Sequence, residues 1–126
     1  KTLLIFQRYQ ADLMEVNLKN MAAELYIKFS DTNWFRNNKN LIEEKIKNLK
    51  TFVLQKNNEF WLKDYEASKD NKYFDVRLFL DKDEFILMEI TFHPKGLEES
   101  LGFFLKWLRN NTTIIIEDED GEPSSW

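Results

Sequence analysis

The stretch Phe74-Asp75-Val76-Arg77-Leu78-Phe79-Leu80-Asp81-Lys82-Asp83-Glu84-Phe85-Ile86-Leu87-Met88-Glu89-Ile90-Thr91-Phe92 repeats with a period of two. Phe74, Val76, Leu78 and Leu80 alternate with Tyr73, Asp75, Arg77 and Phe79, so one set points to a core and the other away from it. The polar Asp81-Lys82-Asp83 interrupts the alternation, and residues 84–92 resume it. Two alternating runs joined by a polar turn predict a β-hairpin. A hairpin that is apolar on one side needs a second layer to cover that side. The fold class therefore depends on what lies upstream and downstream.

Downstream, His93-Pro94-Lys95-Gly96 is a break, and the spacing then turns helical. Leu97, Leu101, Phe104, Leu105 and Leu108 share one face of a helix over 97–109, and Glu98-Glu99 lie near the positive end of its dipole. Phe103 and Trp107, four apart on the flank, are expected to widen the buried face. Thr112-Thr113-Ile114-Ile115-Ile116 is β-branched throughout and predicts a short final strand.

Upstream, residues 59–66 predict a third strand, with Phe60 and Leu62 on one face and Trp61, Lys63 and Tyr65 on the other; residues 67–71 link it to the hairpin. A helix is expected over 41–54, where Leu41, Lys45/Ile46, Leu49 and Phe52/Val53 form the stripe and Asn40 with Glu43 forms a capping box. Residues 31–39 are a polar connection interrupted by Trp34-Phe35, and residues 23–30 predict a strand. Residues 2–20 fit a helix and a strand pair equally well.

These elements make one α+β domain over 1–126: an antiparallel sheet of five to seven strands with two amphipathic helices packed on one face, in the order β, α, β, β, β, α, β. Trp61, Tyr65, Tyr73 and Phe79 then fall on the other face of the sheet. They are either a binding platform or a surface covered by the N-terminal segment.

Composition narrows the chemistry. With no cysteine, disulfides, thiolate metal sites and cysteine nucleophiles are excluded, and a reducing cytoplasmic setting is expected. The apolar run within residues 2–6 is too short for a signal peptide or a spanning helix, so no membrane association is expected. His93 is the only histidine; beside Pro94, and with no Ser or Thr in a nucleophile motif, it reads as a turn residue. Glu43-Glu44, Asp81/Asp83 and Glu98-Glu99 sit where helix ends and turns place solvated charge, so no acid and base pair can be assigned. Gly96, Gly102 and Gly121 are isolated, which leaves no phosphate-cradling loop and no cofactor expected.

Charge is the most uneven property. The chain sums to −4, the tail from Thr112 to −5, and the difference, +1, belongs to residues 1–111. The acidity lies in Glu117-Asp118-Glu119-Asp120-Gly121-Glu122. An EF-hand register fails: with Gly121 at loop position six, Ile116 falls at position one and position twelve lies beyond Trp126. No metal is therefore expected. An overall pI near 5.1 also argues against direct nucleic-acid binding, despite lysines interleaved with Trp61 and Tyr65. A strand running straight into an acidic turn, with Gly121, Pro123 and Trp126 supplying turn chemistry and an anchor, suggests a basic protein partner; the alternative is a solvated tail.

Leu101-Gly102-Phe103-Phe104-Leu105-Lys106-Trp107-Leu108-Arg109, then Ile114-Ile115-Ile116, then the acidic run, resembles the closing helix and strand of small bacterial immunity proteins. Such proteins protect a cell from the toxin domains of contact-dependent growth inhibition and related polymorphic toxin systems. The resemblance covers the last thirty or so residues, together with size, acidity and lack of Cys. It implies a non-enzymatic, cytoplasmic antitoxin that occupies the basic cleft of a cognate toxin, a nuclease in many such systems. The charged contacts would be Glu117, Asp118, Glu119, Asp120 and Glu122, with Trp126, Trp61 and Tyr65 as aromatic anchors. The competing readings are an adaptor or phage-encoded protein-binding domain and a small hydrolase using carboxylates with His93.

Overall fold

The computed structural model describes residues 22–64 and 74–126. Its elements run β1 (Ala23–Phe29), α1 (Thr32–Asn37), α2 (Lys39–Lys47), β2 (Phe52–Lys56), β3 (Glu59–Leu62), β4 (Val76–Phe79), β5 (Phe85–Ile90), α3 (Lys95–Asn111) and β6 (Ile114–Glu117). The six strands form one sheet in the order β2-β3-β4-β5-β1-β6, with every neighbouring pair antiparallel. The class is α+β, as the alternation and helical stripes imply.

Register explains the two faces. Phe60, Leu78, Met88 and Leu25 lie abreast across β3, β4, β5 and β1, and Ile27 stands opposite both Ile86 and Ile116. All are buried and belong to one cluster with Phe35 of α1, Ile42 and Ile46 of α2, and Leu97, Leu101, Phe104, Leu105 and Leu108 of α3. Burying each such side chain contributes about 1.5–3 kcal/mol. The alternate residues form the opposite face: Trp61, Arg77, Glu89 and Glu24 in one row, Glu59, Phe79, Leu87, Tyr26 and Glu117 in the next.

The hairpin and closing helix are where their spacing places them, α3 being two residues longer at each end than the 97–109 expectation; Phe74, expected on the core side, precedes β4 and instead lies against Trp61 and Arg77 on the opposite face. Three upstream expectations are corrected. Residues 41–54 are not one helix: α2 ends at Lys47, and Phe52–Lys56 is an edge strand paired with β3. Phe52-Val53-Leu54 suits a pleated surface as well as a helix, and pairing decided between them. A two-residue Asn57-Asn58 turn closes that hairpin, with Asn57 at φ 58°, a left-handed conformation that Asn tolerates.

The Asn40–Glu43 capping box is not formed. The N-cap is Asn38, which makes no side-chain cap bond there; its amide instead donates to the Trp34 carbonyl at 2.8 Å and closes α1. The register shift turns Leu41 out to 50% exposure and Ile42 in. Finally, the Trp34-Phe35 connection is helical: Asp31 caps α1 by accepting from the Trp34 N–H at 3.0 Å, and Phe35 stacks on Phe29 with centroids 4.2 Å apart.

The predicted strand over 59–66 is present over Glu59–Leu62. Tyr65, Tyr73, the 67–71 connection and residues 2–20 lie outside the described residues. Two polar ties position the helices on the sheet. Lys39 Nζ donates to the carbonyls of Leu80 at 3.1 Å and Lys82 at 2.6 Å, fixing α2 to the β4–β5 turn. The buried hydroxyls of Thr51 and Ser100, 2.7 Å apart, join the α2–β2 link to α3.

Candidate partner-binding site

The acidic segment is a built turn. Glu117 closes β6 against Tyr26 of β1, and beyond it the chain reverses. The Asp118 N–H donates to the Glu122 carbonyl at 2.9 Å, and the Gly121 N–H to the Asp118 carbonyl at 3.0 Å. Asp118 Oδ1 accepts from the backbone N–H of both Asp120 and Glu122, each at 2.9 Å. Gly121 has φ 81°, which an L side chain adopts only with strain. This carboxylate folding onto its own following backbone is the Asx geometry that stabilises turns.

The returning chain covers the sheet edge. Pro123 bridges Glu117, and the Ser124 N–H donates to the Ile116 carbonyl at 2.9 Å. Trp126 then packs against the core, its ring edge-on to His93 at 6.1 Å, while its carbonyl accepts from Arg109 Nη2 at 2.7 Å. An uncovered edge strand invites pairing with another chain, and a proline-bearing strap blocks it.

The sequence-predicted contacts therefore separate by role. Glu117 pairs with Lys28 Nζ at 2.7 Å, and Asp118 organises the turn. Glu119, Asp120 and Glu122 are exposed and, among the described residues, have no cationic partner. Trp126 faces inward as the strap's anchor. Trp61 lies on the sheet face opposite the helices, its Nε1–H donating to Glu59 Oε1 at 2.7 Å and its ring against Phe74 at 5.0 Å. The order of strands puts β3 four neighbours from β6, roughly 19 Å at about 4.8 Å per strand. Trp61 and Glu117, the residue leading into the acidic turn, thus share one face of the sheet but not one spot.

That face carries a polar network which sequence reasoning missed. Arg77 donates through Nε and Nη2 to Glu89 Oε1 at 2.9 and 2.6 Å, and through Nη1 to Glu59 Oε1 at 2.9 Å. Phe74 and Phe79 flank its guanidinium at 4.3 and 5.2 Å. The signal was Glu59, Arg77 and Glu89 on one face of three adjacent strands, Arg77 directly opposite Glu89 and diagonal to Glu59, legible only once the register was known.

His93 Nδ1 lies 2.7 Å from Glu98 Oε2 in an exposed pair at the start of α3. A shallow hollow beside it is lined by Asp64, Asp75 and Thr91, with the Asp75 carboxylate accepting from the Asp64 N–H at 2.9 Å. Among the described residues no hydroxyl is hydrogen-bonded to His93. Among the described residues no group of three His, Cys, Asp or Glu could hold a metal ion, and no helix is long and apolar enough to cross a membrane.

One expected feature is reversed. Phe103 does not widen the buried face: it stands 73% exposed, while Trp107 beside it is half-buried against Phe104. Its neighbours at helical spacing are Glu99, Lys106 and Asn110, a polar row that places it on the outer side. No family model, no curated protein and no solved structure matches this chain.

Proposed function

We propose that this protein is a non-enzymatic immunity protein, which binds a cognate bacterial toxin domain in the cytoplasm and neutralises it by presenting the acidic turn to a basic, nuclease-type cleft. The observation that carries the reading is the fixed turn after β6, in which Glu119, Asp120 and Glu122 project from a backbone held by Asp118. Three outward carboxylates on a rigid support lose little side-chain and backbone freedom on binding, compared with the same charges on a loose tail. Their shared field accelerates encounter with a basic surface, and replacing substrate phosphates requires acceptor oxygens held near one another. The resemblance of the closing helix, strand and acidic run to immunity proteins supplies the class of partner.

The test is a set of charge-neutral variants, Glu119→Gln, Asp120→Asn and Glu122→Gln together. They are better suited than truncation after Ile116, which would also remove the Lys28–Glu117 pair, the edge-covering strap and the Trp126 anchor. With a purified cognate toxin, the triple variant should associate more slowly and lose most of the salt dependence of the association rate. Unchanged association at low salt would remove the turn from the interface.

A further inference from the structure

A second surface carries the opposite charge. Between the C-terminal end of α2 and the outer side of α3 runs a groove of about 550 Å³, within the size range of ligand and peptide pockets. Its α3 wall is the stripe Gly96, Glu99, Phe103, Lys106 and Asn110, residues that recur at helical spacing. Lys45 and Lys50 form the facing side, Lys45 lying 5.4 Å over the Trp107 ring. Lys45 and Lys106, neither in an ion pair among the described residues, face one glutamate across the groove in a chain whose net charge is −4. Phe103, at 73% exposure, gives it an apolar contact point.

We propose that this groove receives the acidic turn of a second copy of the chain. The charge complementarity is internal to the sequence: the turn presents Glu119, Asp120 and Glu122, and Pro123, exposed beside them, supplies an apolar partner for Phe103. The contact is made in trans. The strap that carries the turn ends with its Trp126 carbonyl on Arg109, a residue of α3 that does not line the groove. The pairing makes an isologous two-fold dimer if each turn enters the other's groove, and a heterologous chain if it does not. This inference is independent of the toxin reading, because the same turn meets either partner, one at a time.

The interaction is built from exposed ion pairs and is therefore weak and salt-sensitive; two such pairs, at Lys45 and Lys106, correspond to about a fivefold change in association constant. The experiment is sedimentation of the full chain over rising protein concentration at low and high salt, for wild type, for a groove-reversed variant (K45E with K106E), for a turn-reversed variant (E119K, D120K and E122K), and for the two variants mixed. Wild type should self-associate at low salt and dissociate at high salt, each variant alone should remain monomeric, and the mixture should form a heteromeric complex. A wild type that stays monomeric at every concentration, or a mixture that does not associate, overturns the proposal. If either variant fails to fold, as judged by circular dichroism, a dilution series of wild type by nuclear magnetic resonance decides. Concentration-dependent shifts confined to the groove and residues 118–123 support the contact, and their absence refutes it.

Discussion

Replacing Arg77 with leucine should destabilise the protein by about 3 kcal/mol, and the loss should be largely reversed by a second leucine at Glu89. Arg77 is 19% exposed at its side chain, Glu89 10% and Glu59 22%, and the guanidinium makes three charge-assisted hydrogen bonds to the two carboxylates. Removing one member of a well-buried ion pair costs about 3–5 kcal/mol, chiefly through the charge left behind. The lower end applies here because each group keeps some contact with water, and because Glu59 retains the Trp61 indole donor. Glu89 is 8% exposed as a residue and loses its protein partner altogether. The flanking Phe74 and Phe79 rings add a cation–π loss of about 0.5–1 kcal/mol that a leucine regains partly as packing.

The assay is urea denaturation. With a slope of about 1.5 kcal/mol per molar, R77L should lower the midpoint by about 2 M. The double variant R77L/E89L exchanges the pair for apolar side chains and should return to within about 1 kcal/mol of wild type. A cost below about 1 kcal/mol for R77L, or a double variant no more stable than the single, would refute the assignment of this network as a buried, coupled unit.

Three further outcomes are expected from local geometry. Gly102 lies within α3 where an added methyl would meet nothing within 4 Å, so Gly102→Ala should raise stability by about 0.5–1 kcal/mol, measurable as a higher urea midpoint. Gly121→Ala has the same open space but a φ of 81°, so it should cost about 1–2 kcal/mol locally and loosen the acidic turn, seen as faster amide exchange at Gly121 and Glu122. Thr51→Val should cost about 1–2 kcal/mol in thermal or urea melting, because it leaves the buried Ser100 hydroxyl without its 2.7 Å partner.

The parts of this fold that were legible in its residues are those where local pattern and tertiary contact agree. In α3 every residue of the helical stripe is buried, Ser100 being the one addition, and in β4 and β5 alternation alone places Val76, Leu78, Ile86 and Met88 inside. Residues 41–54 were misread because apolar residues at helical spacing continue past Lys47 into a segment that is also β-prone. The turn that decides the matter, Asn57-Asn58, lies beyond the apparent helix. Phe103 was misplaced because a flanking aromatic next to Phe104 looks like core, although Glu99, Lys106 and Asn110 mark its side of the helix as outer. The acidic run was visible at once. Its division into a paired Glu117, a turn-forming Asp118 and three outward carboxylates was not, because that depends on backbone donors no sequence pattern displays.

Whether the acidic turn is the contact for a basic toxin domain is decided by one comparison. Wild type and the charge-neutral triple variant at Glu119, Asp120 and Glu122 are used as bait in extracts of the native cell, at low and high salt, with bound proteins identified by mass spectrometry. Wild type should recover one basic toxin domain at low salt, and both high salt and the triple variant should sharply reduce that recovery. Recovery of the same protein in equal amount by both baits at either salt, or no specific recovery by wild type, would contradict that role for the turn.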